Sequence, residues 1–180
     1  MVTLTNKLKL VPVEARDADQ MLPLMRACYP PVYAHLWEDN AAWYLQETYN
    51  AQRVMEDLQR PASTYDWVEW DGEAVGILWL HLQEQSPDFR GESALKLQRI
   101  YLHPKVHGKG IGKSVVQFVV DRAREMQNRL VWLEAMDTQL SAHRFYEKVG
   151  FAETGTFRLT YERMHPHYRG MIRMTRKVAP

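Results

Sequence analysis

The chain has 180 residues, which at roughly 150 residues per domain leaves room for a single domain spanning 1–180. Its 23 Lys plus Arg against 22 Asp plus Glu give a formal net charge of +1, which excludes a bulk electrostatic pull toward nucleic acid or an anionic membrane. Hydrophobic residues at 46% provide a core and exclude disorder for most of the chain, and a lone cysteine, Cys28, excludes an internal disulfide.

The longest strongly apolar stretch, Ala74 to Leu80, falls far short of the ~20 residues that cross a bilayer. The opening MVTLTNKLKLVPVE lacks a signal-peptide core, so a cytoplasmic protein with no membrane partner is expected. Leu8 to Val13 reads as a first strand, and Asp17 is placed to cap a helix on which Met21, Leu24, Met25 and Cys28 recur at helical spacing. Pro30-Pro31 ends that helix. Val32 to Leu58 reads as an aromatic-rich helix carrying Tyr33, Leu36, Trp37, Trp43, Tyr44 and Tyr49. Asp66 to Trp70 and Ala74 to Leu82 form a hairpin about Asp71-Gly72, a pair that favours a tight primed turn.

In the second half, Ala94 to Leu102 is a strand and Ile111 to Met126 a long helix. Leu130 to Ala135, apolar almost throughout, suits a strand covered on both faces. Leu140 to Val149 is a helix closed by Gly150, and Phe151 to Leu159 and Met171 to Val178 are strands. The order of these elements makes a mixed α/β sheet.

Between the fourth strand and the long helix lies His107-Gly108-Lys109-Gly110-Ile111-Gly112-Lys113-Ser114. Alternate glycines let successive amides face one point, the helix start adds its positive dipole end, and two lysines add charge; the turn therefore suits an anion such as phosphate. A tight connection without a ligand is the alternative. A P-loop would require glycine at His107, where a side chain obstructs the wrap around a phosphate, and the glycines at 108, 110 and 112 do not match G-x-G-x-x-G.

Taken with the strand Arg99-Ile100-Tyr101-Leu102-His103-Pro104, the turn resembles the pyrophosphate loop of the GCN5-related N-acetyltransferases (GNAT). Ala142-His143-Arg144-Phe145-Tyr146-Glu147-Lys148-Val149-Gly150-Phe151 is similar to that family's A-x-x-F-Y-x-K-x-G-F signature. The resemblance implies a mostly antiparallel sheet of about seven strands flanked by about four helices, and acetyl-CoA as cofactor. By the same carry-over, the Ile100-Tyr101-Leu102 backbone would pair with the pantetheine arm. His107, Gly108, Lys109, Gly110, Ile111, Gly112 and Lys113 would hold the pyrophosphate, mainly through amides. His107 stands where the family usually has Arg or Gln, and Gln139 where Asn is common.

Forming an amide from a thioester requires removing a proton from an ammonium and returning one to the departing thiolate. Tyr146 matches the family tyrosine beside the cofactor sulfur and is the expected general acid, packing being its alternative role. Glu134 matches a carboxylate that some members use as base; a structural ion pair with an arginine, or simple solvation, is the alternative. His81 is a reserve candidate, and Lys96 stands where other members place a carboxylate. Acceptor specificity is expected from Tyr29, Tyr33 and Trp37, with cation–π contact and core packing both open, and from the late loop with Tyr161, Met164, His165 and His167. The run from Leu97 to Pro104 is also similar to a bacterial branch acting on polyamines.

No metal site is expected at His165-Pro166-His167, and the basic run Arg169, Arg173, Arg176, Lys177 reads as a strand face rather than a nucleic-acid surface. The function expected is acetyl transfer from acetyl-CoA to a primary amine of a small molecule or peptide by direct attack, with a homodimer suggested by family analogy. An acyl-CoA sensing module with little catalysis, a P-loop nucleotide-binding protein and an interaction protein that kept only the fold are the alternatives.

Overall fold

A computed structural model describes residues 1–178. Its elements are β1 (Val2–Thr3), β2 (Leu8–Pro12), α1 (Ala18–Cys28), α2 (Pro30–Tyr33), α3 (Ala42–Tyr49), α4 (Ala51–Leu58), β3 (Ser63–Trp70), β4 (Glu73–His81), β5 (Ala94–Leu102), α5 (Ile111–Glu125), β6 (Leu130–Met136), α6 (Leu140–Lys148), β7 (Ala152–Arg158) and β8 (Gly170–Lys177). The strands form one sheet in the order β1-β2-β3-β4-β5-β6-β8-β7. The mixed α/β class agrees with the sequence.

The counts differ for local reasons. The additional strand β1 has only two residues, paired at Val2↔Leu10 and Thr3↔Lys9, too short to leave a hydrophobic period. The expected helix from Val32 to Leu58 is broken. Asn40 and Ala41 take positive φ values of 56° and 72°, which no helix accommodates, and Asn50 starts α4 by accepting the Arg53 amide at 2.9 Å. Asp17 does not cap α1 with its side chain; its carboxylate accepts from the Glu14 amide at 3.0 Å, closing a 3₁₀ turn over Ala15–Asp17. The hairpin turn is as expected, with Asp71 and Gly72 at φ 53° and 82°.

Two compact units make up the chain: Met1–Trp79 with Arg99–Gly112, and Leu80–Gln98 with the residues from Lys113 onward. In the first, Leu8, Leu10, Met21, Met25, Leu36, Tyr49, Val54 and Ile77 are fully enclosed. In the second, α5 buries Val115, Val116, Val119, Val120 and Ala123, a wide apolar stripe, while Leu95, Val131 and Leu133 supply strand residues to the core. The parallel ladder of β5 and β6 runs only from Ala94↔Leu130 to Leu97↔Leu133, although β5 continues to Leu102 and β6 to Met136. Beyond Leu133, β6 stays paired with β8, as far as Met136↔Met171.

Candidate functional site

In the first unit, β5 delivers the chain through a 3₁₀ turn over Pro104–Val106 into the glycine loop. Gly108 and Gly110 have φ of 77° and 76°, and a Cβ at either would meet nothing within 4 Å, so backbone conformation rather than space requires glycine there. The His107 amide is used inside the turn, donating to the Pro104 carbonyl at 3.0 Å, and the Lys109 amide donates to Val106 at 3.4 Å. The amides of Ile111, Gly112 and Lys113 belong to the first turn of α5, the set that a helix cannot satisfy within itself. They add the dipole's positive end to the exposed loop. Lys109 lies 5.9 Å from the Trp70 ring centre.

A glycine that the sequence reading passed over shapes the preceding strand. A Cβ on Gly76 would run into the Tyr101 carbonyl oxygen and the Leu102 side chain, so only glycine lets β4 approach this part of β5. The only signal in the sequence was a glycine interrupting an apolar strand.

In the second unit, Tyr146 lies half-buried on α6, edge-on to Phe145 at 5.2 Å and Phe151 at 5.7 Å. Gln139 is the N-cap residue of α6, and its carbonyl accepts from the Ala142 and His143 amides at 2.9 and 3.1 Å. Glu134 is 28% exposed at its side chain and lies 3.1 Å from the Lys96 ammonium. The arginine opposite Glu134 in the β6–β8 register, Arg173, is engaged elsewhere, by both oxygens of Asp88 at 2.8 Å. Hydrogen bonding by Arg173 holds the Asp88 carboxyl below its usual range. Lys96 also contacts Glu84 at 3.2 Å, and Glu84 meets His81 Nδ1 at 2.6 Å. Sequence reasoning named Glu134, His81 and Lys96 separately and did not connect them, because nothing in their spacing shows that Glu84 joins them.

The Acetyltransferase (GNAT) family model matches residues 18–151. The chain belongs to the GNAT acetyltransferase family. An uncharacterised N-acetyltransferase encoded in the pepI 3′ region of Lactobacillus delbrueckii subsp. lactis is 25% identical over 146 residues, covering 79% of this chain and 83% of that protein. The PaiA N-acetyltransferase of Thermoplasma acidophilum, solved in complex with coenzyme A, superposes with a TM-score of 0.72 at 16% identity, over 94% of this chain and 98% of that one. The ribosomal-protein-S18-alanine N-acetyltransferase of Escherichia coli gives a TM-score of 0.68 at 14% identity, covering 96% and 95%.

The remaining candidates of this acetyltransferase fall into two groups. Tyr29 and Trp37 are 4% and 2% exposed; the Trp37 indole donates to the Tyr29 hydroxyl at 3.1 Å, and Tyr44 stacks on Trp37 at 4.7 Å. These two are packed in an aromatic cluster, whereas Tyr33 is half-buried, 4.7 Å from Tyr29 and 5.9 Å edge-on to Tyr101. The late-loop histidines His165 and His167 stack at 5.7 Å, and among the described residues no group of three or more His, Cys, Asp or Glu is arranged for a metal ion. Arg169 donates to the Met164 and Glu162 carbonyls and Arg176 to that of Val149, so these cations brace backbone. Burial pushes the Cys28 thiol up to about 12, which leaves it a core residue with no nucleophilic thiolate. No helix among the described residues is long and apolar enough to cross a membrane.

Proposed function

We propose that the chain acts as one domain that transfers acetyl from acetyl-CoA to a primary amine by direct attack. The observation that carries this is the occurrence in one chain of the glycine loop leading into α5, the Tyr146 signature on α6 and a carboxylate, Glu134, on β6. The family to which the chain belongs and the coenzyme A held by the PaiA relative support the choice of cofactor. The loop and first-turn amides from Gly108 to Lys113 would take the pyrophosphate, with Lys109 and Lys113 adding charge. The Ile100 and Leu102 main chain, beyond the end of the β5–β6 ladder, would pair with the pantetheine arm, and Gln139 would offer its amide.

An acceptor ammonium gives one proton to Glu134, and the neutral amine attacks the thioester carbonyl. The tetrahedral intermediate then collapses: the C–S bond breaks, Tyr146 gives its proton to the departing thiolate, the second proton leaving the nitrogen restores the Tyr146 hydroxyl, and Glu134 releases its proton to solvent. No covalent enzyme intermediate forms. Of the three candidate aromatics, Tyr33, half-buried against the buried Tyr29, would be the one offered to the acceptor. Spermidine N-acetyltransferase from Vibrio cholerae, in variant form, shares the fold at a TM-score of 0.67, and polyamines therefore belong in the acceptor panel with amino acids and peptides.

Thiol release from acetyl-CoA across that panel tests the proposal. Turnover with at least one primary amine is expected, falling about 100-fold or more in Tyr146→Phe and in Glu134→Gln. CoA binding by calorimetry with no turnover on any amine would establish the sensing alternative, and ATP binding without CoA binding would establish the P-loop alternative.

A further inference from the structure

Lys96 is only 8% exposed, yet its ammonium is shared by two carboxylates, Glu134 Oε2 at 3.1 Å and Glu84 Oε1 at 3.2 Å, and lies 4.3 Å from the Trp132 ring centre. An ammonium has three donors, and here two carboxylates and one ring face engage its charge. None of them is loose. Trp132 is the register partner of Lys96 and stands two residues before Glu134, on the same face of β6. The Trp132 indole donates to the Glu84 carbonyl at 2.7 Å, which anchors the segment after β4, and the Glu84 carboxylate is held in turn by His81 Nδ1. Burial works to raise the Glu84 carboxyl, but the Lys96 charge and the hydrogen bonds from His81 and Lys96 outweigh it, leaving it below its usual range.

We propose that Lys96 is a positioning residue for acetyl transfer: clamped between Glu84 and Glu134, it holds the Glu134 carboxylate in the orientation that takes the acceptor's proton. This rests on Glu134 being the base. Lys96 keeps its own three protons throughout, and Glu134 gains one and later releases it. The charged groups around Glu134 are Lys96 from β5, Glu84 and His81 beyond it, and Arg173 from β8 with its partner Asp88. Because Asp88 occupies Arg173, Lys96 supplies the cation that Glu134 contacts. Because Glu84 shares that cation, the two carboxylates compete for it.

The competition makes opposite predictions for two single variants of the full chain. The Glu134 carboxyl is followed by carbon-13 NMR titration, assigned with Glu134→Gln, beside the pH profile of kcat/KM for acetyl transfer. Lys96→Met is expected to move the Glu134 midpoint up and the acidic limb of the profile with it, and Lys96→Arg to restore most of both. Glu84→Gln is expected to move the midpoint down, since Lys96 then serves Glu134 alone; this variant also serves if Lys96→Met does not fold. An unmoved Glu134 midpoint in Lys96→Met, or an upward shift in Glu84→Gln, overturns the clamp even where Glu134→Gln abolishes the acidic limb. A midpoint that moves while the acidic limb stays in place removes Glu134 as base, and the positioning role falls with it.

Discussion

Two buried cations lie three residues apart on β5, and the protein neutralises them in contrasting ways. Arg99, in the first unit, sits 4.7 Å from the Trp79 ring centre and 5.2 Å from that of Tyr49, with one carboxylate, Asp57, at 3.5 Å. Lys96, in the second, has two carboxylates and one ring. The difference follows the cations. A planar, weakly hydrated guanidinium stacks well on aromatic faces, whereas a compact ammonium needs charge to replace its water. It also separates their roles. Asp57 is 6% exposed and Arg99 is committed to the core, while Glu84 and Glu134 are each 28% exposed and accessible to a proton.

Asp57→Leu breaks the first arrangement and leaves a buried guanidinium with aromatic rings and the Tyr65 hydroxyl in place of Asp57. It should destabilise the protein by about 3 kcal/mol, a fall of roughly 6–12 °C in Tm by calorimetry. A loss under about 1 kcal/mol would mean that the rings suffice and that the contrast is false. Lys96→Met should cost less, about 1 kcal/mol by chemical denaturation, because its carboxylates can recover water or bind protons. Its signature lies in acid. Glu84 has a lowered folded pKa, so its contribution is present above the ordinary carboxylate range and lost as pH falls through the lowered value. Without Lys96 the folded value rises toward the unfolded one, so that acid-induced loss should shrink.

The smallest effect sharpens the comparison from the opposite sign. Burial raises the Asp66 carboxyl on β3 to about 6, and the positive charge of the N-terminus offsets that only in part. Its folded pKa is raised, so its own contribution to stability is present below the unfolded value near 3.8 and is lost as pH rises through about 6. Asp66→Asn should gain on the order of 1 kcal/mol at pH 8 and nothing at pH 4, read from denaturation midpoints.

The backbone-built parts of the candidate site were legible in the sequence, and the ion network was not. Three glycines between a strand and a helix announce a tight left-handed turn into α5 because only backbone geometry is needed, and the α6 signature keeps Tyr146 in a fixed relation to Gly150. Glu84 lies in a loop twelve residues before Lys96 on β5 and fifty before Glu134 on β6. Only sheet pairing brings the three together, and a one-dimensional pattern carries no trace of it. The same limit explains the fold errors. Aromatic periodicity from Val32 to Leu58 persists across Asn40-Ala41, where left-handed backbone breaks the helix. Tyr29 and Trp37 read as acceptor residues by position; their burial and mutual hydrogen bond are set by packing that the sequence pattern does not show.

The most direct test is the initial-velocity pattern with acetyl-CoA and a primary amine varied together, on the acceptor that gives the fastest thiol release. Direct attack predicts intersecting double-reciprocal lines and an unmodified enzyme by mass spectrometry after incubation with acetyl-CoA alone. Parallel lines together with an acetylated enzyme that passes its acetyl group to the amine would contradict it.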